Sequence, residues 1–489
     1  MTTAATPAKG GLRQSTKLFY GFGSVAFGVK DQGFSYLLLI FYNQVVGLSS
    51  EVVGLAIMIA LVFDAFLDPI VGQLSDNWRS RWGRRHPFMY AAALPVTLSY
   101  LLIWNPPAWS HQALFFYLIV TAVMIRSFIT LYEIPSTAMA AELTTEYDER
   151  TTVLSYRYFF GWVGGLTMTL AAFQIFLKPD AAHKVGQLNP AGYSHYGLAA
   201  ALVMLTAILV SAIGTHREIP NLREPPHRKL TARQFLGEMA ATLAHKSFLT
   251  ILMSALFTAM AAGLVLSLNL YLNTYFWQLS AKQISLFVLG NFGSAALAFI
   301  FAAPLGKRFG KKPAAIALKI SAFVIGSAPI VLRLIGAFPP NGHPAVVPIL
   351  FAQTIVSTAL SIMSAILLSS MIADVVEDSE LRTGRRSEGL FFSAAAFVNK
   401  AVSGVGIFTA SLILLAVGFP RNADPSTVSA EVVRNLGLVY VPVLGGLYIV
   451  AILFLLGYRI TRQSHEDSLR KLAAAADRVE EQASPDTAA

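Results

Sequence analysis

In this 489-residue chain, the residues with the most chemical capacity are a few charges set inside long apolar runs. Asp64 and Asp68 stand in FDAFLDPIVG, one helical turn apart. At i,i+4 spacing two side chains share a helix face with Cβ atoms ~6 Å apart. Two carboxylates held that close in a low dielectric repel one another unless a cation or a proton sits between them. The pair is therefore a candidate cation site: oxygen ligands suit a hard cation such as Na+, and the same carboxyls can instead carry H+. The alternative is a purely structural pair of ion bridges to Lys30 or Lys400.

Other charges share these apolar runs. Lys30 and Asp31 lie in the first, and Arg157 begins the fifth. In the fourth, Arg126, Thr130 and Glu133 are spaced i, i+4, i+7 on one helix face, with Pro135 placed to loosen the backbone just beyond. Arg126 has two readings. It either pairs with Glu133 two turns away or grips an anionic group of a substrate through its two parallel N–H donors. The intramembrane charges concentrate in the first half. Lys400 is the one deep charge of the eleventh run and is expected to approach the carboxylates across the interface between halves. Asn273, Gln353 and Asn399 read as helix–helix hydrogen-bonding residues. The aromatic side chains are expected mostly to face lipid or its interface.

The elements that must position these residues follow from composition. Hydrophobic residues make up 55% of the chain and charged residues 13%, about half the charge of a soluble domain. Apolar runs of ~20 residues recur, each able to cross ~30 Å of hydrocarbon. They cover residues 18–46, 52–75, 87–104, 112–138, 154–177, 195–215, 248–275, 283–303, 313–334, 344–372, 389–418 and 432–458. Backbone groups in hydrocarbon need internal partners, and runs of this length without alternation are helices rather than barrel strands. The chain is thus expected to be an all-α membrane protein with twelve transmembrane helices.

Basic residues sort onto alternate loops. Arg79, Arg81, Arg84 and Arg85 follow the second run, Arg217, Arg223, Arg228, Lys229 and Arg233 the sixth, and Lys307, Arg308, Lys311 and Lys312 the eighth. This asymmetry places both termini in the cytoplasm and the protein in a cell (inner) membrane as a multi-pass chain with a retained first span. It also explains the net charge of +10 without nucleic acid. The chain has no cysteine, which excludes disulfides, thiolate metal sites and cysteine nucleophiles. No Walker loop, HExxH or GxSxG occurs, so an enzyme is not expected and no cofactor is implied beyond a coupling ion.

The loops RSRWGRRHP and GKRFGKKP follow the second and eighth runs, and AELTTEYDER and IADVVEDSELRTGRR follow the fourth and tenth. These matches point to two pseudo-symmetric six-helix bundles, residues 18–215 and 248–458. A linker of 216–247 joins them, with tails at 1–17 and 459–489. Parallel repeats of this kind are the plan of the major facilitator fold, with substrate held between the halves near the membrane midplane. The tail segment RKLAAAADRVEEQA is either a short surface helix or simply solvated.

Four segments carry a closer likeness: KLFYGFGSVAFGVKD, FDAFLDPIVGQLSDNWRSRWGRRHPF, YEIPSTAMAAEL, and IADVVEDSELRTGRRSEGLFFS leading to Lys400. Through them the chain resembles the glycoside–pentoside–hexuronide:cation symporters, a melibiose-carrier-like branch of the major facilitator superfamily. The resemblance implies that Asp64 and Asp68 hold the coupling cation, as Na+ ligands or proton carriers, with Thr130 a neighbouring oxygen. It implies that Asp31, Glu133 and Arg157 contact substrate or hold the site together, and that Lys400 sits against the carboxylates. Arg126 is an added buried cation. Where the melibiose carrier has aspartate this chain has Glu133, and where it has tryptophan this chain has Thr137, so galactoside specificity is not implied. The expected partners are a sugar, glycoside or uronide, a coupling cation and the lipid bilayer. A lysolipid cargo on the same fold is the alternative, and a non-transporting membrane sensor a remote one.

Overall fold

The computed structural model describes residues 12–144, 147–222, 246–383 and 388–460, with side chains placed for all of these except 141, 147–148, 150–151, 246, 373, 376–383 and 388–401. Most of the two tails and of the linker, and the side chains of Asn399 and Lys400, lie outside the described residues. Among the described residues there is no strand; helices occupy all twelve expected positions.

We number these positions α1 to α12. The first, α1, runs over residues 14–45 and is a broken rod of short pieces, Gln14–Phe22 and Val25–Gln32, then π-helical Gly33–Leu37, Leu38–Ile40 and π-helical Phe41–Val45. The rest of the first half is α2 Ser50–Asn77, α3 His86–Ile103, α4 His111–Leu143, α5 Tyr147–Ala171 and α6 Pro190–His216. The second half is α7 Lys246–Tyr271, α8 Ala281–Phe309, α9 Lys311–Leu334, α10 Val346–Thr383, α11 Glu388–Ala416 and α12 Ala430–Leu456. Both α5 and α7 end in a π-helical turn, Ala172–Phe176 and Leu272–Phe276. Among the described residues, ten helices are by themselves long and apolar enough to span a membrane. The other two positions are the broken α1 and α11. Helices α4 and α10 run on past their apolar stretches, because charge ends a hydrocarbon segment without ending a helix.

The packing shows the repeat directly. In the first half α1 packs on α5 and α6, α2 on α4, and α3 on α4 and α6; in the second, α7 packs on α11 and α12, α8 on α10, and α9 on α10 and α12. Adding six to each number in the first set yields the second. The contacts between halves obey the same rule: α2 on α11 exchanges with α5 on α8, and α1 meets α7. The chain is therefore two pseudo-symmetric six-helix bundles, an all-α membrane protein of the major facilitator fold.

The loops that suggested the repeat are built alike. Gly83 and Gly310 both have positive φ, 73° and 84°, which lets the chain reverse without a Cβ clash. Basic pairs follow, and each loop is tied to the end of the next-but-one helix. Arg84 and Arg85 hold Glu142 of α4 at 2.9 and 2.8 Å, and Lys311 holds Asp374 of α10 at 2.6 Å. Outer helices present apolar stripes at helical spacing, among them Leu94, Leu98 and Leu102 on α3 and Ile449, Leu453 and Leu456 on α12, all exposed. Such stripes belong against lipid.

The tyrosines correct the sequence expectation. Tyr42, Tyr100, Tyr193, Tyr196, Tyr271 and Tyr275 are buried, not lipid-facing. Each hydroxyl finds an internal partner, as where Tyr42 donates to the Ile103 carbonyl at 2.8 Å and Tyr193 to that of Gln187 at 2.8 Å. A phenol with its polar end satisfied packs as a large apolar side chain.

Candidate functional site

Helices α2 and α4 lie side by side in the first bundle, and the faces they turn to each other carry the charges. Asp64 is fully buried, and its two oxygens are both engaged. The Arg126 guanidinium is 3.0 Å from Oδ2, and the Thr130 hydroxyl is 2.9 Å from Oδ1. The same hydroxyl lies 3.2 Å from Oδ1 of Asp68. One threonine thus spans the two carboxylates that the i,i+4 spacing set on one face. The hydroxyls of Ser136 and Thr137 turn back to the Glu133 carbonyl at 3.0 and 2.6 Å, and α4 passes through Pro135 unbroken.

Helix α1 completes the wall. Phe34, in its first π-turn, lies under the Arg126 guanidinium at 4.9 Å, and Phe27, two turns earlier, lies under that of Arg157 at 4.8 Å. Arg157 of α5 also donates to Ser136 at 3.1 Å and Thr137 at 2.5 Å. It therefore clamps α5 to the turn of α4 that follows Glu133. Lys30 is buried and pairs with its exposed neighbour Asp31 at 2.7 Å. Of the two lysines considered as structural partners for the aspartates, Lys30 is thus committed elsewhere. Glu133 is half-buried, and its carboxylate has no hydrogen bond or ion pair among the described residues.

The structure therefore brings Asp64, Asp68, Thr130 and Arg126 together, and sets Arg157 against the same helix. Asp31 belongs to a separate pair. The side chain of Lys400 lies outside the described residues. The expected pairing of Arg126 with Glu133 is corrected: two turns along one helix is a longer reach than the gap to Asp64 on the neighbouring helix, so the guanidinium crosses to α2. Of the uncharged candidates, Gln353 does join helices, donating to the Gly326 carbonyl at 3.2 Å, while Asn273 bonds within its own helix to Asn269 at 2.9 Å.

Two features escaped the sequence reading. Lys319, on α9 in the second half, is buried, and its ammonium donates to the Thr258 hydroxyl at 2.6 Å. Its signal was present as a lone lysine in the apolar run AAIALKISAFVIG. The second feature is a knot of amides at the face away from the termini. Gln44 accepts from Tyr275 at 3.1 Å and from the Ala423 backbone at 2.9 Å, and donates to the Pro420 carbonyl at 2.9 Å. Tyr271 donates to Asn43 at 2.7 Å. Nearby, Gln187 donates to Thr274 at 3.1 Å and Ser50 to the Ser411 carbonyl at 3.1 Å. Every one of these bonds joins the first bundle to the second, so the halves are fastened at that face.

A carboxylate pair inside one six-helix half, Asp64 buried and Asp68 half-buried, in two bundles related by a parallel repeat, is the arrangement of a membrane transporter of the major facilitator class. The family described as MFS/sugar transport protein matches residues 19–462, and the chain belongs to it. It is 24% identical to the isoprimeverose transporter of Lactiplantibacillus pentosus, over 90% of this chain and 88% of that one. It is likewise 24% identical to the sodium-dependent lysophosphatidylcholine symporter 1 of Gallus gallus, over 94% and 88% of the two chains. Among solved structures, the D-xylose-proton symporter superposes with a TM-score of 0.64 at 16% identity, covering 91% of this chain and 98% of that one.

Proposed function

We infer that this chain is a secondary active transporter that couples entry of a cation, Na+ or H+, to symport of a sugar or glycoside by alternating access. The observation that carries the reading is the Asp64–Thr130–Asp68 constellation between α2 and α4, with Asp64 and Thr130 buried and Asp68 half-buried, in a member of a sugar-transport family. Such oxygens hold a coupling ion. A single cation crossing 100 mV supplies ~2.3 kcal/mol, roughly a fifty-fold concentration gradient. In this reading the bundles are 18–215 and 248–458, and Glu133 faces the substrate as an open hydrogen-bond acceptor. Arg157 holds α4 in place, and Lys400 approaches the carboxylates from α11.

The basic loops lie at the face of the termini, which supports placing that face in the cytoplasm of a cell (inner) membrane. The amide knot then closes the outer side, and the conformation is inward-facing.

The lysophosphatidylcholine relative favours one second reading, an amphipathic anion as cargo. Uptake into proteoliposomes settles both. Isoprimeverose, a glucuronide and a lysophosphatidylcholine are offered under imposed Na+ or H+ gradients. Gradient-driven accumulation of a sugar is expected, and it should vanish in Asp64→Asn and Asp68→Asn while downhill exchange persists. Accumulation that survives in both variants removes the carboxylates from coupling. Accumulation of the lysolipid alone transfers the assignment to the second reading.

A further inference from the structure

Beside the amide knot, at the face away from the termini, lies a cavity of about 440 Å³. Small-molecule pockets span ~300–1,000 Å³. Both halves build its wall. Lys184 and Gln187 come from the connection between α5 and α6, Thr274 and Gln278 from the end of α7 and the turn after it, and Asp424 and Ser426 from the loop between α11 and α12.

Gln187 carries the first indication of a ligand. Its side chain is fully buried, and its amide nitrogen donates to the Thr274 hydroxyl and to the Leu279 carbonyl, both at 3.1 Å. A carbonyl can only accept, so the amide cannot be turned round. The Gln187 Oε1 is then left without a donor among the described residues. A buried acceptor in that state is costly, and it calls for a ligand that brings a hydrogen.

Gln278 gives the second, independent indication. Its backbone is left-handed, with φ 55°, a region that residues with a Cβ seldom adopt. The repeat shows the ordinary solution. The Leu48 N–H reaches back to the Tyr42 carbonyl at 2.9 Å, and the Leu279 N–H to the Asn273 carbonyl at 2.8 Å. Gln278 therefore corresponds to Gly47, which has φ 90°. The second half carries a long amide where the first has glycine, and that amide stands exposed on the cavity wall.

The charges narrow the ligand class. Lys184 and Asp424 are the two charged residues of the wall. The Ser426 hydroxyl and N–H, with Lys184 beyond them, hold the Asp424 carboxyl below the usual carboxylate range. Their opposite charges leave the wall neutral, rich in amides and hydroxyls, with Pro179 and Pro425 as apolar surface. A neutral molecule with several hydroxyls and a C–H face matches it.

We propose that this cavity is a second sugar site, filled by a neutral sugar only while this face is closed, so that the bound sugar clamps the halves and slows turnover. Because both halves supply the wall, opening the face takes the site apart. By linkage, a ligand at about nine times its dissociation constant makes that opening about ten-fold rarer. The clamping rests on the alternating-access reading, whereas the binding does not.

The chain has no cysteine, so Val185→Cys, at a half-buried wall position, gives the purified full chain a single reporter. Its maleimide labelling is timed with isoprimeverose, D-xylose and D-glucose. At least one sugar should slow labelling about five-fold, and the protection should persist when Glu133→Ala is added to remove the acceptor assigned to the transported substrate. Adding Gln278→Gly, which suits the left-handed backbone, should raise the protecting concentration several-fold without lowering the melting temperature. Protection by none of the three sugars overturns the site. Protection that Glu133→Ala abolishes also overturns it, by placing the sugar in the central cavity alone, and so does a protecting concentration unmoved by Gln278→Gly. In proteoliposomes, uptake should fall again at high sugar on that face and rise to a plateau in Gln278→Gly; a plateau in both overturns the clamp. Should no sugar be accumulated at all, the transport reading falls while the protection result stands.

Discussion

Lys319 shows how much one residue can cost in a membrane protein. Its ammonium is buried on α9 with a single hydroxyl as hydrogen-bond partner among the described residues. Thr258 already gives its hydrogen to the Ser254 carbonyl at 2.7 Å, so it serves the lysine only as an acceptor. A charge so thinly satisfied is expensive. Lys319→Met keeps the length and the apolar stem, and Thr258 keeps its bond to Ser254. The expected outcome is a stabilisation on the order of 1–3 kcal/mol, seen as a higher melting temperature in detergent with transport retained. A lower melting temperature would mean that the ammonium has a counter-charge in the working protein. Arg126 presents the opposite case, a buried cation paired with a carboxylate and an aromatic ring. The sequence placed it on the face of Thr130 and Glu133. It did not show that the guanidinium turns across to α2, because helical spacing orders residues along one rod and is silent about the neighbouring rod.

Among the elements, α1 departs furthest from a plain span. Its two π-turns place Phe34 beneath Arg126 and bring Asn43 and Gln44 to the second bundle. A π-turn inserts an extra residue and rotates everything beyond it, so it re-aims side chains that a regular helix would present elsewhere. Gln44 bonds to three residues of the other half, Tyr275 in the π-turn of α7 and Pro420 and Ala423 in the loop between α11 and α12. Gln44→Leu should release that face and shift the population toward the opposite opening. The chain has no cysteine, so a single cysteine introduced at Leu61, 5% exposed on α2, reports the change without background. Faster labelling from the face away from the termini is expected in Gln44→Leu, and equal rates would show that the knot does not hold the halves shut. A glycine belongs to the same closure: a Cβ on Gly54 would lie 2.1 Å from the Ser411 hydroxyl of α11. Gly54→Val should wedge α2 from α11 and reproduce the Gln44→Leu phenotype by another route.

At the scale of the molecule, the two halves share a plan but not an energy. Glu142 is 4% exposed and receives two guanidiniums, from Arg84 and Arg85, while the side chain of Lys311, opposite Asp374, is 35% exposed. Removing one member of a buried charge cluster strands the others at a cost of ~3–5 kcal/mol, whereas a partly exposed pair contributes ~0–1 kcal/mol. Glu142→Ala, which strands two buried guanidiniums, should therefore lower the melting temperature sharply, and Lys311→Ala, which strands the single carboxylate of Asp374 beside a partly exposed position, clearly less, although the two loops are equivalents. Comparable losses would show that burial does not set the difference.

The sequence by itself determined the twelve spans, the repeat and the carboxylate pair, because hydrocarbon imposes a length and a composition that one dimension records. Asp64 and Asp68 were legible because they share a helix, and the loop equivalence was legible because glycine, basic pair and proline recur in order. Only the tertiary structure decided which faces meet. It sent Arg126 to Asp64 and away from Glu133, committed Lys30 to Asp31, and buried six tyrosines whose hydroxyls find internal partners. It also revealed Lys319 and the Gln44 knot, whose bonds join residues hundreds of positions apart. Polar pairing across helices depends on register and rotation between rods, and these are set by packing of the whole bundle.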